Sequence, residues 1–250
     1  MKKKSAVFTT VKNESIFLPI WLTHYQQYFS NEDIYVLDHQ STDGSTLNLP
    51  VNVRLVSNEC VNDHDWLVNT AQNFQRQLLQ EYECVVFVES DEILYSLDKP
   101  FSQFIDDFLQ SDNLYATCSG YSIIQDLEKE SVLCLGDRIF EKRNLWYKDA
   151  AEDKTLISKV PLDWNWGFHT LKGRNNNYHR DLYIAHLHRF DLETMIKRHK
   201  IRTSFKQKND GGGHHWKSDE KEIFETFRKV SSQPFQIPEQ HKRSLDHLIY

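Results

Sequence analysis

The chain has 250 residues, 39% hydrophobic and 13% aromatic, which is enough to fill the core of one large domain or two small ones. Its 36 Asp and Glu outnumber its 30 Lys and Arg, and the net charge of -6 argues against a general nucleic-acid binder, which needs a basic face. The four cysteines, Cys60, Cys84, Cys118 and Cys134, form no CxxC pair; this argues against a cysteine-built zinc site and fits a reducing compartment.

Met1-Lys2-Lys3-Lys4 is basic, but only Ala6-Val7-Phe8 follow before threonines, too short for an export signal. No stretch is long enough to span a bilayer. The expectation is a cytoplasmic protein, with at most peripheral contact with the inner face of a membrane.

Ser5 to Val11 predicts a first strand. Asn13-Glu14-Ser15 supplies capping residues for an amphipathic helix running to about Phe29, with Pro19 near its first turn, where proline is tolerated. Asp33 to Leu37 predicts a second strand, ending in the polar turn Asp38-His39-Gln40-Ser41-Thr42-Asp43-Gly44. Val51 to Val56 predicts a third strand, and Asp63 to Tyr82 a helix with Trp66, Ala71, Phe74 and Leu78 on one face.

Val85 to Val88 is short, apolar and rich in β-branched residues, which suits a strand buried on both faces. It runs directly into Glu89-Ser90-Asp91-Glu92. A buried strand presents acids only where it leaves the sheet, and in open α/β sheets that edge is where ligands bind. Taken alone, the triplet reads equally well as a solvated turn. The β-α-β-β-α-β order predicts an α/β fold with a mixed, mostly parallel sheet flanked by helices.

Phe101 to Leu109 predicts a short helix, and Tyr115–Ile124 and Val132–Leu135 predict strands. Lys148 to Lys159 reads as a charged loop with a helical turn, and Trp164 to His169 as an aromatic turn. Leu182 to Leu187 predicts the last strand, with helices from about Asp191 to Phe205 and Ser218 to Val230 as a C-terminal extension around the flexible Asp210-Gly211-Gly212-Gly213. The expected organisation is a single domain, with one half over 1–98, a second over 99–190, and helices and a glycine-rich lid over 191–250.

Three strand ends meet along one edge: Thr10-Val11-Lys12-Asn13-Glu14, Asp38 to Asp43, and Glu89 to Glu92. Such an edge forms a crevice for a nucleotide. Asp38 suits a ribose or base edge, or the stabilisation of its own turn. Neither a GxxxxGK loop nor a GxGxxG after the first strand is present, so phosphate-loop and dinucleotide readings lose their support. Oxygen ligands at Glu89 and Asp91 suit Mg2+ or Mn2+.

Val11-Lys12-Asn13-Glu14-Ser15, Leu18-Pro19-Ile20-Trp21-Leu22, Leu37-Asp38-His39-Gln40-Ser41-Thr42-Asp43-Gly44 and Val88-Glu89-Ser90-Asp91-Glu92 together resemble the glycosyltransferase family 2-like group of GT-A enzymes. The resemblance covers about the first hundred residues, and implies that 1–98 is the nucleotide-sugar half and 99–190 the acceptor and catalytic half. It implies a nucleotide-sugar donor, a carbohydrate or lipid-linked hydroxyl acceptor, an inverting reaction in surface polysaccharide or glycolipid synthesis, and Mn2+ or Mg2+ on a DxD-type motif. Glu89 stands where that motif has its first aspartate. Thr10, Val11, Asn13, Glu14, Asp38, Ser41, Asp43, Glu89 and Ser90 match the nucleotide-sugar pocket. Asp91 matches the direct metal ligand, and a late histidine, His186 or His188, completes the metal set.

His186 and His188 are two apart on a strand and so share a face. A hydrogen-bonded pair on a half-buried strand is the alternative. His169 is a further candidate, or part of a packed aromatic turn. Glu152 and Asp153 are the candidates for the base that takes the acceptor's proton, with Asp126 and Asp137 behind them. In the basic run Lys197, Arg198, Lys200, Arg202, Lys206 and Lys208, Lys200 and Arg202 are expected to meet the diphosphate, with a solvated helix face as the alternative. Asp210–Trp216 is the candidate lid. Two other classes stay open. One is a non-catalytic nucleotide-sugar or carbohydrate binder on the same fold. The other is a nucleotidyltransferase, whose glycine- and lysine-rich signature near the first strand is missing here.

Overall fold

A computed structural model describes residues 1–60, 63–148, 152–205, 219–230 and 234–250. Strand β1 (Lys3–Val11) leads to helix α1 (Phe17–Tyr25), then β2 (Ile34–Asp38), β3 (Asn52–Leu55), α2 (His64–Glu81), β4 (Tyr82–Phe87) and β5 (Glu92–Ser96). Helix α3 (Phe101–Gln110), β6 (Tyr115–Ile124), α4 (Ile139–Lys142), β7 (Leu145–Lys148), β8 (Lys154–Ser158) and β9 (Tyr178–Arg189) follow. The chain ends in α5 (Leu192–Thr203), α6 (Glu220–Val230), β10 (Phe235–Gln236) and α7 (Glu239–Ser244).

The mixed sheet has the order β10-β7-β6-β8-β4-β1-β2-β3, with β9 pairing to β6 and to β5. Its parallel part is β3-β2-β1-β4. Beyond β4 the pairing turns antiparallel through β8, β6 and β7. Strand β4 stands at the junction, with β1 on one side and β8 on the other. Cys84 to Val88 are fully buried, as the apolar run requires. Each such large apolar side chain contributes about 1.5–3 kcal/mol relative to exposure.

Helix α2 starts where the Asp63 side chain accepts from the Trp66 amide, and lays Val68, Ala71 and Leu78 against the sheet. Helix α5 starts at Asp191, whose carboxylate accepts from the Thr194 amide. The same carboxylate meets Arg143 at 3.0 Å, so one buried acid ties the end of β9 to the segment before β7.

Three expectations need correction. Val132–Leu135 is not a strand; the Leu133 amide donates instead to Asp191. The charged segment expected as a loop from Lys148 contains β8, and its residues Lys154–Ser158 are all buried. Its lysine is tolerated inside because acids face it. The acidic turn leads at once into β5, buried along its length and paired antiparallel with β9. The glycine-rich stretch Asp210–Trp216, Lys206, Lys208, and Ala150 and Ala151 lie outside the described residues. Among the described residues no helix is long and apolar enough to cross a membrane.

The C-terminal segment is held by polar contacts under α1 and β5. His24 is completely buried, with Nε2 on the Leu94 carbonyl and Nδ1 on His247 Nε2, both at 2.9 Å. Burial pushes the His24 pKa down from 6.5 to about 3. Its folded pKa lies below the unfolded one, so the unfolded chain takes up the proton first and stability rises with pH across that window. Unfolding free energies from urea titrations should therefore fall as pH drops from 6.5 towards 3. His24→Gln should flatten that dependence; an equally steep one in the variant would exclude His24 as a source.

Candidate active site

The loops after β1 and β2 are built from each other's side chains. Asn13 adopts a left-handed backbone (φ 56°), its amide donates to Ser41 Oγ at 3.0 Å, and its Oδ1 accepts from the Thr42 amide at 2.7 Å. Asp43 Oδ2 accepts from the Ser15 amide at 3.1 Å. Asp38 uses both oxygens in its own turn, Oδ1 accepting from the Ser41 amide and Oδ2 from Thr46 Oγ1. Of the two roles the sequence left open for Asp38, the hydrogen bonds drawn here belong to turn stabilisation.

These loops frame an open cleft with a cavity volume of about 130 Å³. Thr10, Val11, Glu14, Glu89, Ser90, Asp91 and Arg202 line it, as expected of them, whereas Asn13, Asp38, Ser41, Asp43 and Lys200 do not. Lys200 points to solvent and meets Glu220 at 2.5 Å, which is the solvated-face reading. No pattern in the sequence marks the aromatic wall. His39 and Trp66 stack there with centroids 4.5 Å apart and planes at 37°, and His39 Nε2 accepts from the Asn58 amide at 3.0 Å.

At the mouth of β4 the charges alternate. Arg198 donates to both oxygens of Glu14, through Nε at 3.1 and 3.0 Å, and through Nη1 to Asp91 Oδ2. Arg202, one helical turn on, reaches Glu14 at 3.0 Å. His186 Nε2 lies 3.3 Å from the same Asp91 oxygen, and its Nδ1 lies 2.6 Å from Glu152 Oε2. The registers explain this: His186 pairs with Glu92 on β5 and with Ser122 on β6, while the Leu187 amide donates to the Asp91 carbonyl.

Burial alone would raise the Asp91 pKa, but Arg198 and His186 outweigh it and hold the carboxyl well below its usual range. Burial would lower His186, but Glu152 and Asp91 hold it well above its usual value. On His188 the pull of Glu152 and Asp91 is outweighed. Burial, and then its neighbour His186, push it down to about 3, so it is a neutral imidazole. The rings of His186 and His188 lie 4.1 Å apart, and His188 Nδ1 is buried without a hydrogen-bond partner.

Glu89, expected as a metal ligand, forms an ion pair with Lys154 instead. Glu92 faces the same Nζ at 2.5 Å, with no directional hydrogen bond to either oxygen. Burial, opposed by Lys154, leaves Glu92 raised to about 7. The candidate bases also separate. Glu152 joins the site, while Asp153 turns to Lys148, the Gly120 amide and Tyr178 Oη. Asp126 and Asp137 accept backbone amides in their own turns. His169 stays beside the aromatic turn, its Nδ1 buried without a partner.

Glu152, His186 and His188 form a group that could hold a divalent cation, with Asp91 beside them on His186 Nε2. One donor atom each from Glu152, His186 and His188 lie within 4.8 Å of one another, and the orphaned His188 Nδ1 is a free imidazole donor. The carboxylate that fixes His186 through Nδ1 while Nε2 faces the centre is the usual outer support of a metal-binding histidine.

No protein-family model matches the sequence, and no curated protein does either. Among solved structures the chain is similar to S. aureus TarS 1–349, at 16% identity over 85% of this chain and 68% of that one, with a TM-score of 0.38. It is also similar to glucosyl-3-phosphoglycerate synthase from Mycobacterium tuberculosis, solved with Mn2+, UDP-glucose and phosphoglyceric acid, at 16% identity, 48% and 44% coverage and a TM-score of 0.33. A cytidylyltransferase from Leptospira borgpetersenii is similar at 13% identity, 46% and 54% coverage and a TM-score of 0.32. The chain spans less than two thirds of the length of the latter two. At these distances the likenesses carry no argument about activity, which has to come from the side chains themselves.

One position without a side chain sets the site's dimensions. A Cβ on Gly120 would lie 2.1 Å from the Glu152 carbonyl oxygen and 2.5 Å from its Cβ. Gly120→Ala must displace Glu152, and overpacking of that kind costs about 1–3 kcal/mol. Thermal unfolding should show a clear fall in Tm for this variant; an unchanged Tm would mean that the approach of β6 to Glu152 is not tight.

Proposed function

We propose that the chain is a metal-dependent glycosyltransferase that moves a sugar from a nucleoside diphosphate sugar to a hydroxyl acceptor with inversion. The observation that supports this most is that Asp91, which lines the cleft, meets His186, and that His186 stands with His188 and Glu152. The His39–Trp66 wall offers a flat surface to a base. Thr10, Val11 and Ser90 lie along the nucleoside and diphosphate path.

Asp91, His186 and His188 would hold the cation. A divalent ion there would offset the charge that builds on the departing diphosphate. Arg198 and Arg202 stand next to that charge and share Glu14 as their anchor, so they can turn to a diphosphate without leaving the cleft. Glu152 divides its work between two oxygens. Oε2 orients His186, and Oε1, which holds Ser122 Oγ at 3.2 Å, accepts the proton of the attacking hydroxyl. The His186 charge keeps Glu152 ionised against its burial, as a base requires. The acceptor is a carbohydrate or lipid-linked hydroxyl in surface polysaccharide or glycolipid synthesis.

The Glu89–Lys154 pair favours a second reading, a binder of nucleotide sugars without turnover, because it takes one acid of the motif out of play. Donor consumption with Mn2+ separates the two. Asp91→Asn should keep the fold, since Arg198 retains Glu14, and should lower metal-dependent transfer on the order of 10²-fold or more. Full transfer by the variant would remove Asp91 from the mechanism. Tight donor binding by the unmodified chain without any turnover would establish the binder.

A further inference from the structure

The arginines withdrawn from solvent are not provided for alike. Arg143 is fully buried and meets two acids, Asp191 at 3.0 Å and Glu130 at 3.8 Å. Arg198 likewise has Glu14 and Asp91. Arg189 is half-buried, yet among the described residues no carboxylate faces it. Its Nη1 donates to Tyr147 Oη, its Cζ lies 5.7 Å from the centroid of the same ring, and its Nε is buried with no hydrogen-bond partner. A guanidinium taken from water without a counter-charge is costly, and an orphaned donor on it adds to the cost. Arg143 and Arg198 each have two acids, and Arg189 has none among the described residues.

Its placement is also specific. Between Ser122 and Ile124 the register of β6 against β9 shifts, so that Ser122 pairs with His186 but Ile124 pairs with Arg189. Three residues of β9 thus advance against two of β6. A bulge of this kind re-aims a side chain. Here it returns Arg189 to the face that carries His186. Ser122 pairs with Tyr147 on its other side and bonds Glu152, so Tyr147 belongs to the same face. The preceding residue, His188, is the one with the orphaned Nδ1. The cleft framed by β1, β2 and α2 does not reach Arg189, and β6, β7 and β9 stand on the far side of β4 from it.

We propose that Arg189, with Tyr147, forms a subsite for an oxyanion carried by the acceptor, a phosphate or carboxylate near the hydroxyl that receives the sugar. The assignment to the acceptor rests on the glycosyltransferase reading; the oxyanion site itself does not. The planar fork of arginine suits two oxygens of one such group, and the free Nε–H is one tine of it. The negative charge would complete the ion pair that the fold leaves open, and would hold the acceptor beside Glu152.

The test titrates ethyl phosphate and propionate into the unmodified chain, Arg189→Met and Arg189→Lys by calorimetry, with UDP, GDP and CDP plus Mn2+ in parallel and melting curves for each protein. The unmodified chain should bind at least one of the two oxyanions. Arg189→Met should weaken that binding about tenfold or more, and Arg189→Lys should restore part of it. Nucleoside diphosphate affinity should not change. The Tm of Arg189→Met should be no lower than that of the unmodified chain, because an uncompensated charge has been removed. Ethyl phosphate binding alone identifies a phosphate-bearing acceptor, and propionate binding alone a carboxylate-bearing one. Equal oxyanion affinity in Arg189→Met, a parallel loss of diphosphate affinity, a fall in Tm, or no oxyanion binding by the unmodified chain would each overturn the proposal. If no nucleoside diphosphate binds but the oxyanion result holds, the transfer reading fails and the oxyanion site stands.

Discussion

The ion pair between Asp91 and Arg198 joins the end of β4 to α5, and Glu14 on the other edge of the same guanidinium brings in the loop after β1. Three distant parts of the chain are thereby fixed around one charge. The arrangement follows from the burial of β4. A strand enclosed on both faces delivers its acids into a region with little water, and ions there persist only with partners. Each acid at this end has one: Asp91 has Arg198 and His186, Glu89 and Glu92 share Lys154, and Glu152 has His186.

That requirement also separates the roles of the acids. Lys154 is almost completely buried and neutralises the pair nearest to it, so Glu89 and Glu92 act mainly on each other's charge and on the lysine. Asp91 and Glu152 instead share a histidine, a group that exchanges a proton for a metal without changing its position. His188 contributes an imidazole kept neutral by burial. The same face then continues to Arg189, which no carboxylate among the described residues faces. On the proposed reading, a donor cleft, a cation centre and an anion subsite follow in order along one sheet edge.

Much of this was legible in the sequence because it depended on local pattern. The run Val85–Val88 named its own burial, the acids after it named the edge, and two-residue spacing put His186 and His188 together. The strand Tyr115–Ile124 had the same bounds as β6. What stayed hidden depended on pairing across the chain. Lys154 looked like a loop residue because a buried lysine is intelligible only once Glu89 and Glu92, more than sixty residues away, face it. Asn13, Asp38, Ser41 and Asp43 carried the right residue types, but their hydrogen bonds go to the turns that shape the cleft. Gly120 and the bulge before Arg189 left no trace, since a close approach and a register shift belong to two strands at once.

The central claim is that the end of β4 and the strand β9 together make a cation centre facing a nucleotide cleft. Anomalous diffraction from crystals soaked in Mn2+ and a nucleoside diphosphate tests it most directly. One strong manganese peak is expected within bonding distance of Asp91, His186 and His188, with density for a diphosphate on the cleft side towards Arg198. Manganese bound only at other acids, or none here at saturating concentration while Arg198 and His186 still hold Asp91, would contradict it.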